Sequence, residues 1–368
     1  MNIAIVTHVT PGISNGLSQY IRFLIKGLIE ASTDHHFFIF VNKSFDSFLD
    51  IDHPNFTKIR VDIPHSPRIL MRPIYFIWQN LFSGELFKKY NIDIIHFPNP
   101  VPLITSLGLP TVVTIHDTAE LRGERHTKLH KQFRIWVNNN IANRAEAVLT
   151  VSQFSKSEIC SLMNVKEEKI HVTELGITIN NNIKILSHSK ASTPYFLHVG
   201  GGSKNKNLDR VIEAFLQLNK SRVLNLKVVG RTEQFKRFSL DFEALKKEGI
   251  YFTGYLSENE LIKTYKNAMA LVYPSLYEGF GLPILEALSM GIPVITSNRA
   301  SMPEVAGKAA IYVDPEDISS IKNGLNLVLN DNEIKNRLKK EGILRSKQFD
   351  WLSTARKTLR VYEKAGNN

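Results

Sequence analysis

Short runs of apolar, largely β-branched residues recur along this chain, each followed by a stretch with helical periodicity, and few architectures tolerate that rhythm. IAIV at 3–6 precedes a helical stretch near 17–31. FFIFV at 37–41, DIIHF at 93–97 and TVVTI at 111–115 follow, then a long helix near 128–145 and AVLTV at 147–151. These runs are apolar on both faces, which calls for a parallel sheet covered by helices on each side. From 174 to 194, ELGITINNNIKILSHSKASTP, asparagines, serines and a proline replace the periodicity and mark a linker. The rhythm resumes with YFLHVG at 195–200, a helix from Leu208, LKVVG at 226–230, IYFTG at 250–254, a helix from Glu258, MALVYPS at 269–275, a helix after Pro283 and PVITS at 293–297. The 368 residues exceed one hydrophobic core. The expected fold is therefore α/β, with two doubly wound Rossmann-like domains over 1–180 and 181–345 and a last helix within 346–368. Such sheets take ligands outside the carboxyl ends of their strands, so two facing sheets put a site in the cleft between them.

Composition narrows the function classes. Hydrophobic residues at 43% and charged residues at 22% suit a folded, water-exposed chain rather than a disordered one. Cys160 is the only cysteine, which excludes an intrachain disulfide. MNIAIVTHV reads as a buried strand rather than a leader peptide, and no apolar run approaches the roughly 20 residues that span a bilayer. A cytoplasmic protein is expected. The net charge of +11 gathers toward the end, where residues 335–360 carry nine basic side chains against Glu341 and Asp350. Such an excess favours an anionic neighbour, and peripheral contact with an anionic membrane face is one candidate beside a merely solvated helix. Nucleic acid is not expected, because that region lacks aromatics interleaved with the basic residues. The segment 67–82, PRILMRPIYFIWQNLF, mixes Arg68 and Arg72 with large apolar residues as an interfacial membrane contact or acceptor surface would, but its apolar residues at 70, 74, 77, 78 and 81 follow the spacing of a core helix, the favoured reading.

The chemistry concentrates in YPSLYEGFGLPILEALSMGIPVITS, residues 273–297. A buried strand ends at the proline, so Leu276 to Leu282 lie where a parallel strand delivers its loop to a ligand. Gly279 and Gly281 remove β-carbons on both sides of Phe280 and let the backbone approach closely. Pro283 suits a first helical turn, leaving the N–H groups around Gly281 and Leu282 at the positive end of a helix, an anion site fit for phosphate. Glu286 is an island of charge among Ile284, Leu285, Ala287 and Leu288. Carboxylates suit vicinal hydroxyls, so Glu278 and Glu286 with the helix end describe a binder of nucleotide sugar.

This stretch resembles the signature of the retaining GT-B glycosyltransferases of family 4, with its two glutamates in an E-G-F-G-L-P setting. The resemblance extends through YFTGYLSENELIKTYKNAMALVYPS and ITSNRASMPEVAGKAAIYVDPED, and upstream through VVTIHD at 112–117 and AEAVLTVSQFSKSEI at 145–159. It implies a GT-B fold whose last helix packs back on the N-terminal domain. By the same resemblance Glu278 contacts donor-sugar hydroxyls, the backbone of Phe280, Gly281 and Leu282 holds sugar and diphosphate, and Glu286 takes the ribose. His116 faces the donor sugar, Lys206 in GGSKNKNL grips the diphosphate beside Gly200, and Gly16 matches the glycine-rich first loop. Two positions depart from the family pattern: Asn205 stands where an arginine often precedes the lysine, so that either Lys204 substitutes or the diphosphate is held with one cation fewer, and Asn15-Gly16 replaces a Gly-Gly pair.

The implied reaction transfers a hexose, mannose or rhamnose-like, from a nucleoside diphosphate sugar, GDP-mannose favoured, to a saccharide or lipid-linked saccharide with the anomeric configuration retained. Bacterial O-antigen, capsule or exopolysaccharide synthesis is the implied setting. His116, Lys206 and Glu278 are the catalytic candidates. No cofactor is expected, and no metal: His116-Asp117 lacks a third ligand at recognisable spacing. The alternative is a catalytically inactive nucleotide-sugar-binding partner subunit or sensor, which predicts binding without turnover.

Overall fold

The computed structural model describes residues 1–7, 16–42, 49, 51–62, 77, 78, 80, 83–101, 103, 107–122, 128–178, 193–219, 223–231, 235 and 241–367. The chain divides into two compact units, Met1–Gly176 together with Asp350–Asn368, and Ile177–Phe349. Most of the segment 67–82, the centre of the linker and Asn15 lie outside the described residues.

The first unit contains β1 (Asn2–Val6), α1 (Gly16–Glu30), β2 (His36–Asn42), β3 (Phe56–Val61), α2 (Ser83–Lys89), β4 (Ile94–Phe97), β5 (Thr111–Thr114), α3 (Ala119–Arg122), α4 (Lys128–Arg144), β6 (Ala147–Thr150), α5 (Gln153–Met163) and β7 (Ile170–Val172). Its sheet is parallel throughout in the order β3-β2-β1-β4-β5-β6-β7. Ile3 of β1 pairs with Phe37 on one side and Ile94 on the other, so β1 is central and the chain order reverses between β1 and β4. All four residues of β4, β5 and β6 are buried, as their two-faced apolarity requires. Ser152 caps α5 by accepting from the Ser155 amide, and Asn164 ends it in the left-handed region.

The second unit contains β8 (Tyr195–Val199), α6 (Leu208–Asn219), β9 (Asn225–Val229), α7 (Phe242–Lys247), β10 (Ile250–Gly254), α8 (Glu258–Lys266), β11 (Ala270–Tyr273), α9 (Leu282–Ser289), β12 (Val294–Ser297), α10 (Met302–Ala306), β13 (Ala310–Val313), α11 (Ile318–Asn330) and α12 (Asn332–Ser346). Its sheet is again parallel, in the order β10-β9-β8-β11-β12-β13. The reversal here falls between β8 and β11, where Leu197 faces Leu271. Ligands of such sheets sit outside the carboxyl ends of the two strands at this reversal.

The last helix, α13 (Trp351–Gly366), returns to the first unit. Asp350 caps it by accepting from the Ser353 amide. It buries Trp351, Ala355, Thr358, Leu359 and Tyr362, and Phe23 of α1 stacks on Trp351 with ring centroids 5.5 Å apart. The two helices approach so closely at Gly27 that a β-carbon there would collide with the Trp351 carbonyl. Glycine to alanine inside a helix ordinarily stabilises, by up to about 1 kcal/mol. At Gly27 overpacking of about 1–3 kcal/mol outweighs that gain. Urea unfolding of Gly27→Ala is therefore expected to show an earlier transition than wild type, and a later one would contradict this packing.

Three strands without a matching run in the sequence reading, β3, β7 and β13, lie at or beside sheet edges. FTKIRV in β3 carries Lys58 and Arg60, IHV in β7 is three residues long, and Tyr312 of β13 is exposed. An edge strand is covered incompletely, so its sequence need not be apolar on both faces.

Candidate donor-binding site

At the reversal point of the second sheet, β8 ends at Val199 and β11 at Tyr273, and the two following loops meet. Gly200 has φ +146°, and its missing side chain leaves room for the stem of Lys206, whose Cδ would lie 3.2 Å from a β-carbon. Lys204–Lys206 form a single 3-10 turn. That turn aims the Lys206 ammonium at the next loop, where Nζ donates to Glu278 Oε1 at 2.7 Å and to the Tyr273 hydroxyl. Glu278 Oε1 accepts two further hydrogen bonds, from Tyr273 Oη at 2.9 Å and Ser275 Oγ at 2.7 Å. Glu278 is thus not the bare carboxylate that its glycine-punctuated setting suggests. Its side chain is 15% exposed and that of Lys206 21%.

Valence makes this cluster informative. An ammonium has three donors, and Lys206 uses two inside the protein, so one remains for a ligand oxygen. All the protein partners of Glu278 converge on Oε1, and among the described residues Oε2 has none. A carboxylate oxygen with its lone pairs open suits a hydroxyl donor.

Asn205 is buried, and its carbonyl accepts from the Leu276 amide at 2.7 Å and lies 2.5 Å from Ser275 Oγ, whose one proton it shares with Glu278 Oε1. It joins the two loops rather than offering charge to the surface, whereas Lys204 is exposed. Asn207 continues this stitching by donating to the carbonyls of Pro274 and Pro315.

Beyond Glu278, Gly281 at φ +107° is the N-cap of α9, a conformation that suits glycine. Leu282 opens that helix with Pro283 in its first turn, so the Leu282 N–H has no intrahelical acceptor. Phe280 is buried with its ring edge-on to Phe349 at 5.8 Å. The Ser301 hydroxyl reaches the carbonyls of both Glu278 and Phe280, at 2.9 and 2.8 Å, which fixes the loop's path. One turn into α9, Glu286 receives Thr178 Oγ1 on one carboxylate oxygen at 2.7 Å and Tyr265 Oη on the other at 2.8 Å. Burial pushes the Glu286 carboxyl up from its usual range, and these two donors oppose that shift. Burial and the neighbouring glutamates raise Tyr265 and Tyr273 well above ordinary phenols, so both stay protonated as donors.

In the first unit, His116 follows β5. Its Nε2 contacts the Pro98 carbonyl at 3.0 Å, and because a carbonyl only accepts, Nε2 carries the proton and Nδ1 the lone pair. Burial lowers the imidazole to about 4 against the Pro98 bond, so the ring is neutral at pH 7. Tyr20 of α1 packs edge-on to it at 4.6 Å. Gly16 is the exposed first residue of α1.

The structure therefore gathers Gly200, Lys206 and Glu278 into one cluster, with Phe280, Gly281, Leu282 and Glu286 along the loop and helix that follow it. Sequence reasoning missed Tyr273, Ser275, Tyr265, Thr178 and Ser301. Tyr273 and Ser275 had a signal, since they end and follow a buried strand; Thr178 and Ser301 lie far along the chain from the carboxylate or loop they serve.

Beneath the cluster, His198 of β8 donates from Nδ1 to the Val272 carbonyl at 2.9 Å, and its buried Nε2 has no partner among the described residues. Burial lowers this ring to about 4, with Lys206 adding to the shift and Val272 and Glu278 opposing it. An unfolded histidine takes its proton near 6.5 and this folded one near 4, so the unfolded state binds more protons between those values. The stability contribution is complete above pH 6.5 and is lost as pH falls toward 4, at about 1.4 kcal/mol per pH unit. Urea midpoints measured from pH 7.5 to 5 are expected to fall below 6.5, with a shallower fall in His198→Gln. Equal slopes in the two proteins would contradict the assignment.

Comparison with known proteins bears on family and fold. A family model described as "Glycosyl transferases group 1" matches residues 181–345, and one described as "Glycosyltransferase Family 4" matches residues 14–181. The O-antigen chain mannosyltransferase B of Escherichia coli is 30% identical over 265 residues, 68% of this chain and 70% of that protein. The serotype-specific mannosyltransferase WbdA of Escherichia coli is 29% identical over 266 residues, and the match spans 67% of this chain but only 32% of that longer protein. Among solved structures, sucrose-phosphate synthase from Thermosynechococcus elongatus superposes with a TM-score of 0.78 at 20% identity, covering 99% of this chain and 98% of that one.

Proposed function

The chain belongs to glycosyltransferase family 4, with the GT-B fold, and from that premise we propose that it is a retaining, metal-independent hexosyltransferase. The donor is a nucleoside diphosphate sugar, GDP-mannose in first place, and the acceptor a saccharide, lipid-linked, in the synthesis of O-antigen, capsule or exopolysaccharide. The preference for mannose follows the resemblance to the O-antigen chain mannosyltransferase B of Escherichia coli. One observation carries the proposal: the Lys206–Glu278 pair at the carboxyl end of β8 and β11, each partner with a valence left for ligand.

In this account the third donor of Lys206 takes a diphosphate oxygen, and the Leu282 N–H at the positive end of α9 takes another. Charge grows on the diphosphate as the glycosidic bond breaks, so these fixed groups stabilise the transition state more than the ground state. They supply the neutralisation for which other transferases use a divalent cation. Glu278 Oε2 accepts from sugar hydroxyls, and Glu286, held by Thr178 and Tyr265, keeps a lone pair on each oxygen for the ribose diol. The departing diphosphate assists deprotonation of the acceptor hydroxyl on the same face. His116 offers its Nδ1 lone pair to a donor-sugar hydroxyl.

Domain limits of 1–180, 181–345 and 346–368 belong to the same proposal, as does a cytoplasmic site of action. No helix among the described residues is long and apolar enough to cross a membrane. Peripheral contact with anionic lipid rests on the exposed basic residues of α12 and α13, such as Arg337, Lys340, Arg356 and Arg360. Other members of that basic run have internal work: Arg345 donates to the carbonyls of Val305 and Glu304, and Lys357 pairs with Glu174. Sedimentation with phosphatidylglycerol vesicles is expected to exceed that with phosphatidylcholine, and equal sedimentation would remove this part.

Asn205 favours a second reading, a nucleotide-sugar sensor or inactive partner subunit, because a neutral side chain where the family often has arginine leaves the diphosphate with one cation fewer. Thermal shift against GDP, UDP, dTDP and ADP sugars, followed by a transfer assay with the stabilising donor, separates the two. The enzyme account expects one nucleotide class to stabilise the protein, Glu286→Ala to abolish that shift, and Lys206→Ala to lower kcat by roughly 10²–10³. Stabilisation without turnover would favour the sensor.

A further inference from the structure

The first unit holds a chain of polar side chains inside a core that is otherwise apolar. Tyr20 Oη on α1 lies 3.1 Å from Thr114 Oγ1 on β5, Thr114 Oγ1 lies 2.8 Å from His96 Nε2 on β4, and His96 Nδ1 lies 2.6 Å from Tyr362 Oη on α13. All four residues are essentially inaccessible to water. Apolar residues of the same shape would fill this space at no desolvation cost, and such replacements are often neutral or stabilising. A hydrogen-bonded polar chain in that place instead fixes orientation.

Its members are neutral. Burial lowers His96 to about 3, so the ring is neutral and carries one proton. Burial raises Tyr362 well above an ordinary phenol, so its hydroxyl remains protonated beside His96 Nδ1. A neutral ring carries its proton on one nitrogen only, so His96 donates on one side of the chain and accepts on the other, linking Thr114 to Tyr362. The far end of the chain reaches the donor-facing histidine. Thr114 is two residues before His116, and the ring of Tyr20, tethered through its hydroxyl to Thr114, lies edge-on to the His116 ring at 4.6 Å and 82°. On α13, Trp351 approaches the same Tyr20 ring at 6.1 Å. With His116 Nε2 held by the Pro98 carbonyl, the remaining freedom of the imidazole is its tilt, and the Tyr20 ring packed against it limits that tilt.

We propose that Tyr362, His96, Thr114 and Tyr20 are positioning residues, through which the C-terminal helix sets the direction in which His116 presents Nδ1. None of the four touches substrate in this proposal, which rests on the role given to His116 above. It assigns the C-terminal helix a part in the chemistry of the first unit beyond covering α1.

The test uses the full-length chain labelled with 15N-histidine, with the ring resonances of His116 assigned from their loss in His116→Gln. Tyr362→Phe is expected to move the His116 ring resonances although it leaves every direct contact of His116 in place. It is expected to lower kcat roughly tenfold while KM for the donor changes less than about twofold, the pattern of a misoriented group. Tyr20→Phe keeps the Tyr362–His96 bond and the ring against His116 but cuts the tether, and is expected to act in the same direction. A lowered melting temperature with unmoved His116 resonances in both variants would overturn the relay and leave it a core hydrogen-bond chain. Unchanged kcat in His116→Gln would overturn the role of His116 itself, a separate failure.

Discussion

Three donors converge on one oxygen of Glu278, and the second unit is organised around that convergence. Lys206 comes from the loop after β8, and Tyr273 and Ser275 from the end of β11, so the carboxylate ties together the two strands between which the sheet reverses. The Asn205 carbonyl adds a second tie to the same loop. Because the pair is largely covered, its attraction is screened less than that of a surface ion pair, and loss of either partner leaves a poorly solvated charge. In the proposed account the geometry that stabilises the loops also holds an ammonium and a carboxylate ready for the donor, and pre-positioned charge of that kind needs no reorganisation at the moment of reaction.

The same topology appears in the first unit with different contents. There the carboxyl ends of the strands carry His116 and a buried hydrogen-bond chain in place of an ion pair. The last helix belongs to this unit although it follows the whole of the second in sequence. Its apolar face meets α1 at Gly27, where only a glycine admits the Trp351 backbone.

What could be read from the sequence follows from how each signal arises. Interior strands announce themselves because both faces must be apolar, which is why β1, β4, β5, β8, β11 and β12 were legible. Of the edge strands, IYFTG in β10 still carried an apolar run and was legible, whereas β3, with Lys58 and Arg60, is covered incompletely and was not. The glycines, Pro283 and the two glutamates marked the loop and helix of the site, because backbone conformation and charge in an apolar helix are local properties. The partners of those glutamates were hidden: Thr178 stands 108 residues from Glu286, and Lys206 stands 72 from Glu278. Only the fold brings such positions together. The basic C-terminal run shows the converse, since a local excess of charge gave no hint that Arg345 and Lys357 are bound to neighbours within their own units.

The most direct measurement is a crystal structure of the protein with a nucleoside diphosphate bound. The account predicts the diphosphate against Lys206 Nζ and the Leu282 end of α9, the ribose hydroxyls on Glu286, and Glu278 Oε1 still held by Tyr273 and Ser275. A nucleotide bound elsewhere, with the Lys206–Glu278 pair unchanged and Glu286 uncontacted, would contradict it.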